Sequence, residues 1–585
     1  MEISSRKPFH AVLAYRGAAD PERYAFEQLG KYLKKSVNVF LAKSNDLMPA
    51  HEFEIIIGKT ARSEDFCETF GLAEDGYYIV CRGGKLYLGG RGRGVIYAVF
   101  SFLEQFAACR FFAPDEEYIP ELDAIEIPEG YEAHFSPVFS MRDVLWSTNF
   151  DIDWSVKQKI NRGHYRNFFG GTGGEKGFAG YFGHTLGELA ETGYDAPEPC
   201  LTDERIYRTV VKNVRALLTE NPGAAFVSVS QNDDFRVCTC EKCAAVDGEE
   251  ESHAGTMIRF VNRVAEELEG EFPGVLFHTF AYQYTRRPPK YARPRHNVVV
   301  QLCPIECCAG HSVATCDSPT PAPWAEMVSE RSFREDFLGW AEMVSERSFR
   351  EDFLGWAEIS PALHIWDYTT DFHHYFAPFP NLYSVRDNVR FYAAHRVTGV
   401  LLQGNINTCH SGEFAELKAY LMAKLLWDPS VGDEVYDALI DEFLRHYYGE
   451  GWRFIREYID GLHEICKDRH FGIYYHPLKI LPAEEGLPFM LRAKELFSRA
   501  EAAALRPACR MRVKRSAVQV EYYLLLAQYG EEYEKGDEAS RARYVNRNRA
   551  FYEFIVKNGI YMNPDKPLPK DVDFTKAPDT WHKLG

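Results

Sequence analysis

The stretch Ala224-Ala225-Phe226-Val227-Ser228-Val229-Ser230-Gln231-Asn232-Asp233-Asp234-Phe235 decides how this chain is read. Its first part, 226–230, has the character of a buried strand, and it stops abruptly in a carboxylate pair. Two adjacent acids at a strand end cannot both point into a core. In a barrel of parallel strands, the strand ends are where functional groups collect. Neighbouring carboxyls also disfavour each other's ionisation, so one holds its proton nearer neutral pH. A pair divided into one acid and one anion is what cleavage of a glycosidic bond requires. The plainer reading of the same residues is an Asx turn or a helix N-cap.

Outward from this strand, apolar strand candidates recur at 138–146, 164–169, 275–282, 297–303, 363–367 and 397–403. Amphipathic runs such as 205–218 and 256–269 separate them. Strands alternating with helices on this scale predict a parallel sheet, here a (β/α)8 TIM-type barrel over residues 133–427. One strand shows no pattern of its own, and His184-Thr185-Leu186 marks its end.

Residues 1–132 read as a small N-terminal α/β domain, with strands at 10–14 and 53–57 and a helix at 21–33. A hairpin follows, 77–81 with 85–88 around Gly83-Gly84. The run Gly89-Gly90-Arg91-Gly92-Arg93-Gly94 then opens a helix at 95–106. A glycine-rich strand-to-helix turn invites a phosphate reading. This one lacks the Lys-Ser/Thr of a P-loop and follows a hairpin rather than a βαβ unit, so it reads as a tight turn without a nucleotide. Residues 120–132, rich in acids, Pro and Gly, form the linker. From 428 to 585 the helical period dominates, with runs at 434–448, 452–466, 487–504, 512–529 and 538–556, which predicts a C-terminal helical domain.

Trp324 to Gly339 recurs letter for letter as Trp340 to Gly355, and Trp356-Ala357-Glu358 starts a third copy. Sixteen residues advance a helix by four turns plus roughly 160°, so two copies cannot bury the same face of one straight helix. One copy is therefore expected in the barrel helix, with the other bulging out or extending it.

The 585 residues carry a net charge of −18, which argues against nucleic acid or an anionic membrane as a partner. Aromatic content of 14% suits a cleft that stacks sugar rings, though large cores use the same residues. No apolar run follows the charges of the N-terminus and no stretch approaches a membrane span, so the expected compartment is cytoplasmic.

Fourteen cysteines without an export signal point to thiols rather than disulfides. Cys240-Glu241-Lys242-Cys243 has the spacing of a zinc knuckle, with Cys238 as a third thiol and Cys307, Cys308 or His311 as a fourth ligand. No second regularly spaced pair accompanies them, which favours small buried residues tying down a loop over a structural zinc. No cofactor is expected to take part in catalysis.

The other strand ends hold chemistry of the same kind. Glu306 lies just past one of them, Trp366 and Asp367 at another, and Gln403 at a third. Arg142 follows the first strand, His164 sits on the second, Asn232 precedes the acid pair, and Tyr282 and Tyr284 end a further strand. Acids, amides and aromatics at successive strand ends suit a neutral polyhydroxylated ligand, a carbohydrate.

Several of these motifs together resemble a known family. Ser230-Gln231-Asn232-Asp233-Asp234 is followed by Cys238-Thr239-Cys240-Glu241-Lys242-Cys243 and by Pro304-Ile305-Glu306-Cys307-Cys308. Ile365-Trp366-Asp367-Tyr368-Thr369-Thr370 and Leu425-Leu426-Trp427-Asp428-Pro429 complete the set. The set resembles the bacterial domain family labelled as of unknown function 4838, members of which are placed in glycoside hydrolase family 163, endo-β-N-acetylglucosaminidases acting on N-glycans. Asp75-Gly76-Tyr77-Tyr78 and Gly92-Arg93-Gly94-Val95-Ile96-Tyr97 resemble the small α/β domain that precedes the barrel in hexosaminidases and α-glucuronidases. The likeness implies a retaining hydrolase in which the substrate's acetamido group attacks the anomeric carbon. By analogy with such N-acetylhexosaminidases, Asp233 orients that group and Asp234 protonates the leaving oxygen, with Glu306 the rival acid. The duplicated segment and the missing signal peptide depart from the family pattern.

Two other readings stay open: an α-glucuronidase-like glycosidase, which needs a basic clamp for which Arg142 is the candidate, and a non-catalytic glycan-binding barrel.

Overall fold

The computed structural model describes residues 1–161, 172, 177–193, 196–233, 236–316, 348–406, 412–561 and 570–584. By compactness the chain divides into two units. The first comprises Met1–Asp143, Thr148–Glu175 and Ala423–Asp428, and the second Val144–Ser147, Lys176–Met422 and Pro429–Gly585.

The first unit holds β1 (Glu2–Ile3), β2 (Phe9–Leu13), β3 (Leu41–Asn45), β4 (Glu54–Ile57), β5 (Tyr77–Arg82), β6 (Lys85–Gly90), β7 (Arg110–Ala113), β8 (Glu116–Tyr118), β9 (Ile125–Glu126) and β10 (Glu132–Phe135). Six of these form one sheet in the order β10-β5-β6-β4-β2-β3. The expected hairpin is present: β5 and β6 pair antiparallel, and Gly83 and Gly84 turn it at φ +62° and +70°. Two consecutive left-handed residues are what a two-residue hairpin turn needs, and glycine adopts them without strain.

The glycine-rich run opens the helix Gly94–Phe106. A Cβ on Gly94 would lie 2.0 Å from the Gly76 carbonyl oxygen, and one on Gly90 2.2 Å from it. Asp75 Oδ1 accepts from the Arg93 amide at 3.2 Å at the start of the helix. Close backbone packing and a protein carboxylate thus account for the glycines in this turn.

The second sheet is a parallel half-barrel of TIM type. Its strands are β11 (Met141–Leu145), β12 (Phe178–Ala179), β13 (Phe226–Ser228), β14 (Leu276–Ala281), β15 (Val298–Leu302), β16 (Ala362–Tyr368) and β17 (Val397–Gln403). They lie in the order β11-β17-β16-β15-β14-β13-β12, and every pair from β12 to β17 is parallel. The unpatterned strand is β12, two residues long and five residues before His184. Too short to show a period, it had only its end as a signal. The expected strand at 164–169 lies outside the described residues, so among those residues the sheet has seven strands.

Side chains alternate across this sheet with period two. Val227, Val229, Phe277 and Val298 face outward into one core with Val210 and Val214 of the helix Glu204–Glu220. The inner face carries aromatic rings: Phe182 stacks on Trp366 at 5.7 Å, and Phe280 meets Trp366 edge-on at 5.8 Å. At one end, Gly404 N donates to Leu145 O at 2.9 Å and Ser147 N to Asn405 O at 2.7 Å. Only glycine fits at 404, where a Cβ would lie 1.8 Å from the Trp146 indole.

The C-terminal helices, expected over 428–585, are Asp433–Tyr448, Trp452–Cys466, Ala483–Ala503, Pro507–Ser516, Val518–Gln528 and Glu538–Lys557. The run expected at 512–529 is two helices, meeting at Ala517. Of the duplicated segment, the helix Phe349–Ile359 is described, capped by Ser348 and drawn largely from the second copy. The first copy lies outside the described residues, so the question of which copy bulges does too. Among the described residues no helix is long and apolar enough to cross a membrane.

Candidate active site

Strand β13 runs out at Ser228, and the chain continues through Gln231 to Asp233, which is exposed. The Gln231 side chain holds this exit in place. Its Nε2 donates to Tyr282 O at 3.1 Å, and its Oε1 accepts from the Thr285 hydroxyl. The Tyr282 hydroxyl, at the end of β14, donates to Asp233 Oδ1 at 3.2 Å. Burial and then the Asp233 charge push the Tyr282 phenol well above its ordinary range. At the neighbouring ends, Trp366 Nε1 donates to Gln403 Oε1 at 2.7 Å, and Trp366, Tyr368 and Gln403 are all partly exposed.

Behind them lie Cys303 and Glu306. Burial raises the Cys303 thiol, and Glu306 and Asp233 raise it further. The Tyr368 phenol is raised by burial and then by Cys303, Tyr474, Asp233 and Glu306. Asp233 and Glu306 therefore act on the same two groups from different strand ends. Glu306 is fully buried, and its Oε2 lies 3.5 Å from Nη1 of Arg286, whose Nε pairs with Asp352 Oδ2 at 2.9 Å. Burial raises the Glu306 carboxyl and Arg286 only partly offsets this. Its Oε1 finds no hydrogen-bond partner among the described residues.

Of the residues expected at the site, the structure brings together Asp233, Tyr282, Glu306, Trp366 and Gln403. Four others have different positions. Arg142 sits inside β11 rather than past its end, is fully buried, and pairs with Asp75 at 2.8 Å. Asn232 has both ends of its amide engaged: Oδ1 accepts from Gly187 N at 2.8 Å and Nδ2 donates to Ala196 O at 3.0 Å. Tyr284 turns away from Tyr282 because Gln283 between them is left-handed at φ +52°, and its hydroxyl donates to Glu198 Oε2 at 2.9 Å. Asp367 has the parity of Leu363 and Ile365 and so faces the helices. There Tyr392 OH donates to its Oδ2 at 2.9 Å and Asn388 Nδ2 at 3.3 Å. Asp234 and His164 lie outside the described residues.

Two residues that sequence reasoning missed complete the surroundings. Arg286 pairs with Glu306, and Tyr474, on the loop before the helix Ala483–Ala503, raises both Tyr282 and Tyr368. Neither carries a local motif.

Three cysteines after Asp233 gather with one that precedes it. The sulfurs of Cys200, Cys238, Cys240 and Cys243 all lie within 4.8 Å of one another, with Cys200 3.7 Å from Cys240 and 3.8 Å from Cys243. The fourth thiol is thus Cys200, not Cys307, Cys308 or His311. In a zinc tetrathiolate with bonds of about 2.3 Å the sulfurs stand about 3.8 Å apart, so the four fit a tetrahedral metal.

Residues 111–460 match the family described as a domain of unknown function, DUF4838. The chain belongs to that family. No curated protein matches this DUF4838 chain. Among solved structures it is similar to BtGH115A, a family GH115 4-O-methyl-α-glucuronidase with specificity for decorated arabinogalactans. The TM-score is 0.59 at 10% identity, over 98% of this chain and 82% of that one. CpGH84B has a TM-score of 0.45 at 11% identity, over 96% and 95% of the two chains. A β-N-acetylhexosaminidase from Bacteroides fragilis NCTC 9343 has 0.40 at 13%, over 76% and 92%. At these identities the first of the three bears on the fold of the DUF4838 chain alone.

Proposed function

We propose that this protein is a glycoside hydrolase acting on β-N-acetylglucosaminide linkages of glycans, with retention through substrate assistance. The observation that carries this reading is the Asp233–Tyr282 pair standing on the same cluster of groups as the buried Glu306. On this reading the exposed Asp233 side chain, which accepts from the Tyr282 hydroxyl, polarises an acetamido N–H as its carbonyl oxygen attacks the anomeric carbon. Glu306, whose carboxyl pKa is raised by burial, is on this reading the group that protonates the leaving oxygen, with Asp234 its rival. Trp366 and Tyr368 offer ring faces for a sugar to stack on.

An α-glucuronidase-like activity fits less well. It needs a cation for the sugar carboxylate, and of the described arginines near these strands Arg142 is committed to Asp75 and Arg286 to Glu306 and Asp352. The test is incubation of purified protein with N-glycans and with aryl β-N-acetylglucosaminides, reading products by mass. Release from neither, with release from an aryl α-glucuronide, would overturn the proposal.

A further inference from the structure

We propose that Cys308, His311, Cys316 and His470 bind one zinc ion, which staples the loop carrying Glu306 to the segment carrying Tyr474. Three of the four fall in the nine-residue span 308–316 that follows β15, while His470 is 154 residues beyond Cys316. One donor atom from each lies within 4.8 Å of all the others. Cys308 Sγ is 3.4 Å from His311 Nδ1, and Cys316 Sγ is 3.6 Å from His470 Nδ1. With zinc–sulfur bonds of about 2.3 Å and zinc–nitrogen bonds of about 2.0–2.1 Å, a tetrahedron spaces sulfur from nitrogen by about 3.6 Å. These two sulfur–nitrogen pairs are therefore already at the spacing of a loaded site.

The orientation of His311 is a second, independent sign. Its Nε2 lies 2.7 Å from Lys467 O. A carbonyl oxygen only accepts, so Nε2 carries a hydrogen, and in the neutral ring that zinc binding requires Nδ1 presents its lone pair toward Cys308. An outer carbonyl that fixes the tautomer in this way is the usual partner of a metal-binding imidazole. Two thiols and two imidazoles in a closed four-coordinate set select zinc over harder cations and leave no open position, so the role is structural.

The place of the site gives it a consequence. Cys308 is two residues from Glu306, and His470 is four from Tyr474. The two segments already meet through the Ala309 amide, which donates to Phe471 O at 2.8 Å. Gly310 lies so close that a Cβ there would stand 2.6 Å from the Phe471 ring. A metal at this junction fixes two walls of the candidate site against each other. The tetrathiolate cluster stands in the same relation to Asp233, its Cys238 five residues downstream.

The experiment is zinc stoichiometry by mass spectrometry on protein purified under reducing conditions and titrated with zinc chloride. Wild type is expected to retain two equivalents, one in each cluster, and His470→Ala and Cys316→Ser one each. Cobalt(II) loaded into Cys240→Ser protein reports on this site without touching its ligands. Visible bands of tetrahedral cobalt support the proposal and their absence overturns it. Zinc uptake by His470→Ala and Cys316→Ser equal to wild type, no uptake by wild type, or a Cys308–Cys316 disulfide in the peptide map would each overturn it too.

Discussion

The Tyr282 hydroxyl donates to Asp233 Oδ1 at 3.2 Å, tying the exit of β13 to the end of β14. The bond orients the carboxylate that is proposed to hold the acetamido group. Asp233→Asn is expected to lower kcat on a β-N-acetylglucosaminide on the order of a hundredfold or more. Tyr282→Phe removes one hydrogen bond to a charged group, worth roughly 1.5–3 kcal/mol, and so costs on the order of ten- to a hundredfold. A thiazoline mimic of the cyclised intermediate should inhibit wild type and bind Asp233→Asn poorly. Near-wild-type rates in both variants would reduce the acid at 233 to a turn residue.

Glu306 acts, on this reading, in its protonated form. Burial raises its pKa above the ordinary value of 4.5, and an acid must be protonated to donate. Activity should therefore fall as pH rises through that raised pKa, giving the alkaline limb of the rate profile. Glu306→Gln should remove that limb. The variant should also spare an activated aryl glycoside relative to a glycan on the order of a hundredfold, because a good leaving group needs no proton. If Asp234→Asn shows this pattern and Glu306→Gln does not, the acid is Asp234.

What was legible in the sequence followed from position along strands. Asp233, Glu306, Trp366 and Gln403 each end an apolar run, and the structure brings these strand ends together. Asp367 was placed at the mouth by the same rule, although its parity with Leu363 and Ile365 was a readable sign that it faces the helices. Arg142 falls inside the strand expected at 138–146, so a place past its end had no support in the pattern, and the structure buries it within β11. Cys200 and His470 had no local signal at all. Cys200 stands 38 residues before Cys238, His470 is 154 residues beyond Cys316, and only the fold brings either to its cluster.

The position of Asp367 makes a prediction opposite to that of a binding residue. Asp367→Ala leaves the Tyr392 hydroxyl and the Asn388 amide buried without their acceptor, at roughly 1–3 kcal/mol for each orphaned group. The expected result is a lower melting temperature with kcat per folded molecule within about twofold of wild type. A large fall in kcat at unchanged melting temperature would return Asp367 to the substrate.

In the first unit, Glu104 lies between two lysines, its Oε2 2.8 Å from Lys159 Nζ and its Oε1 2.8 Å from Lys424 Nζ. Its side chain is 19% exposed. Burial alone would raise this carboxyl, but the two ammonium groups more than reverse that and hold it at about 2, against an ordinary 4.5. A carboxylate whose folded pKa is depressed stabilises the fold above its unfolded pKa, and that stability is lost as pH falls through the folded one. The window here runs from about 4.5 down to about 2. A shift of this size corresponds to about 3 kcal/mol. Glu104→Gln removes the contribution and leaves Lys159, 5% exposed, buried without its counter-charge. Denaturant unfolding should therefore show the variant less stable than wild type by about 3 kcal/mol at pH 7. Its acid dependence should be shallower, so that the two curves converge near pH 2. Parallel curves across that range would mean that Glu104 titrates alike in the folded and unfolded chain, and that the two lysines do not hold its charge.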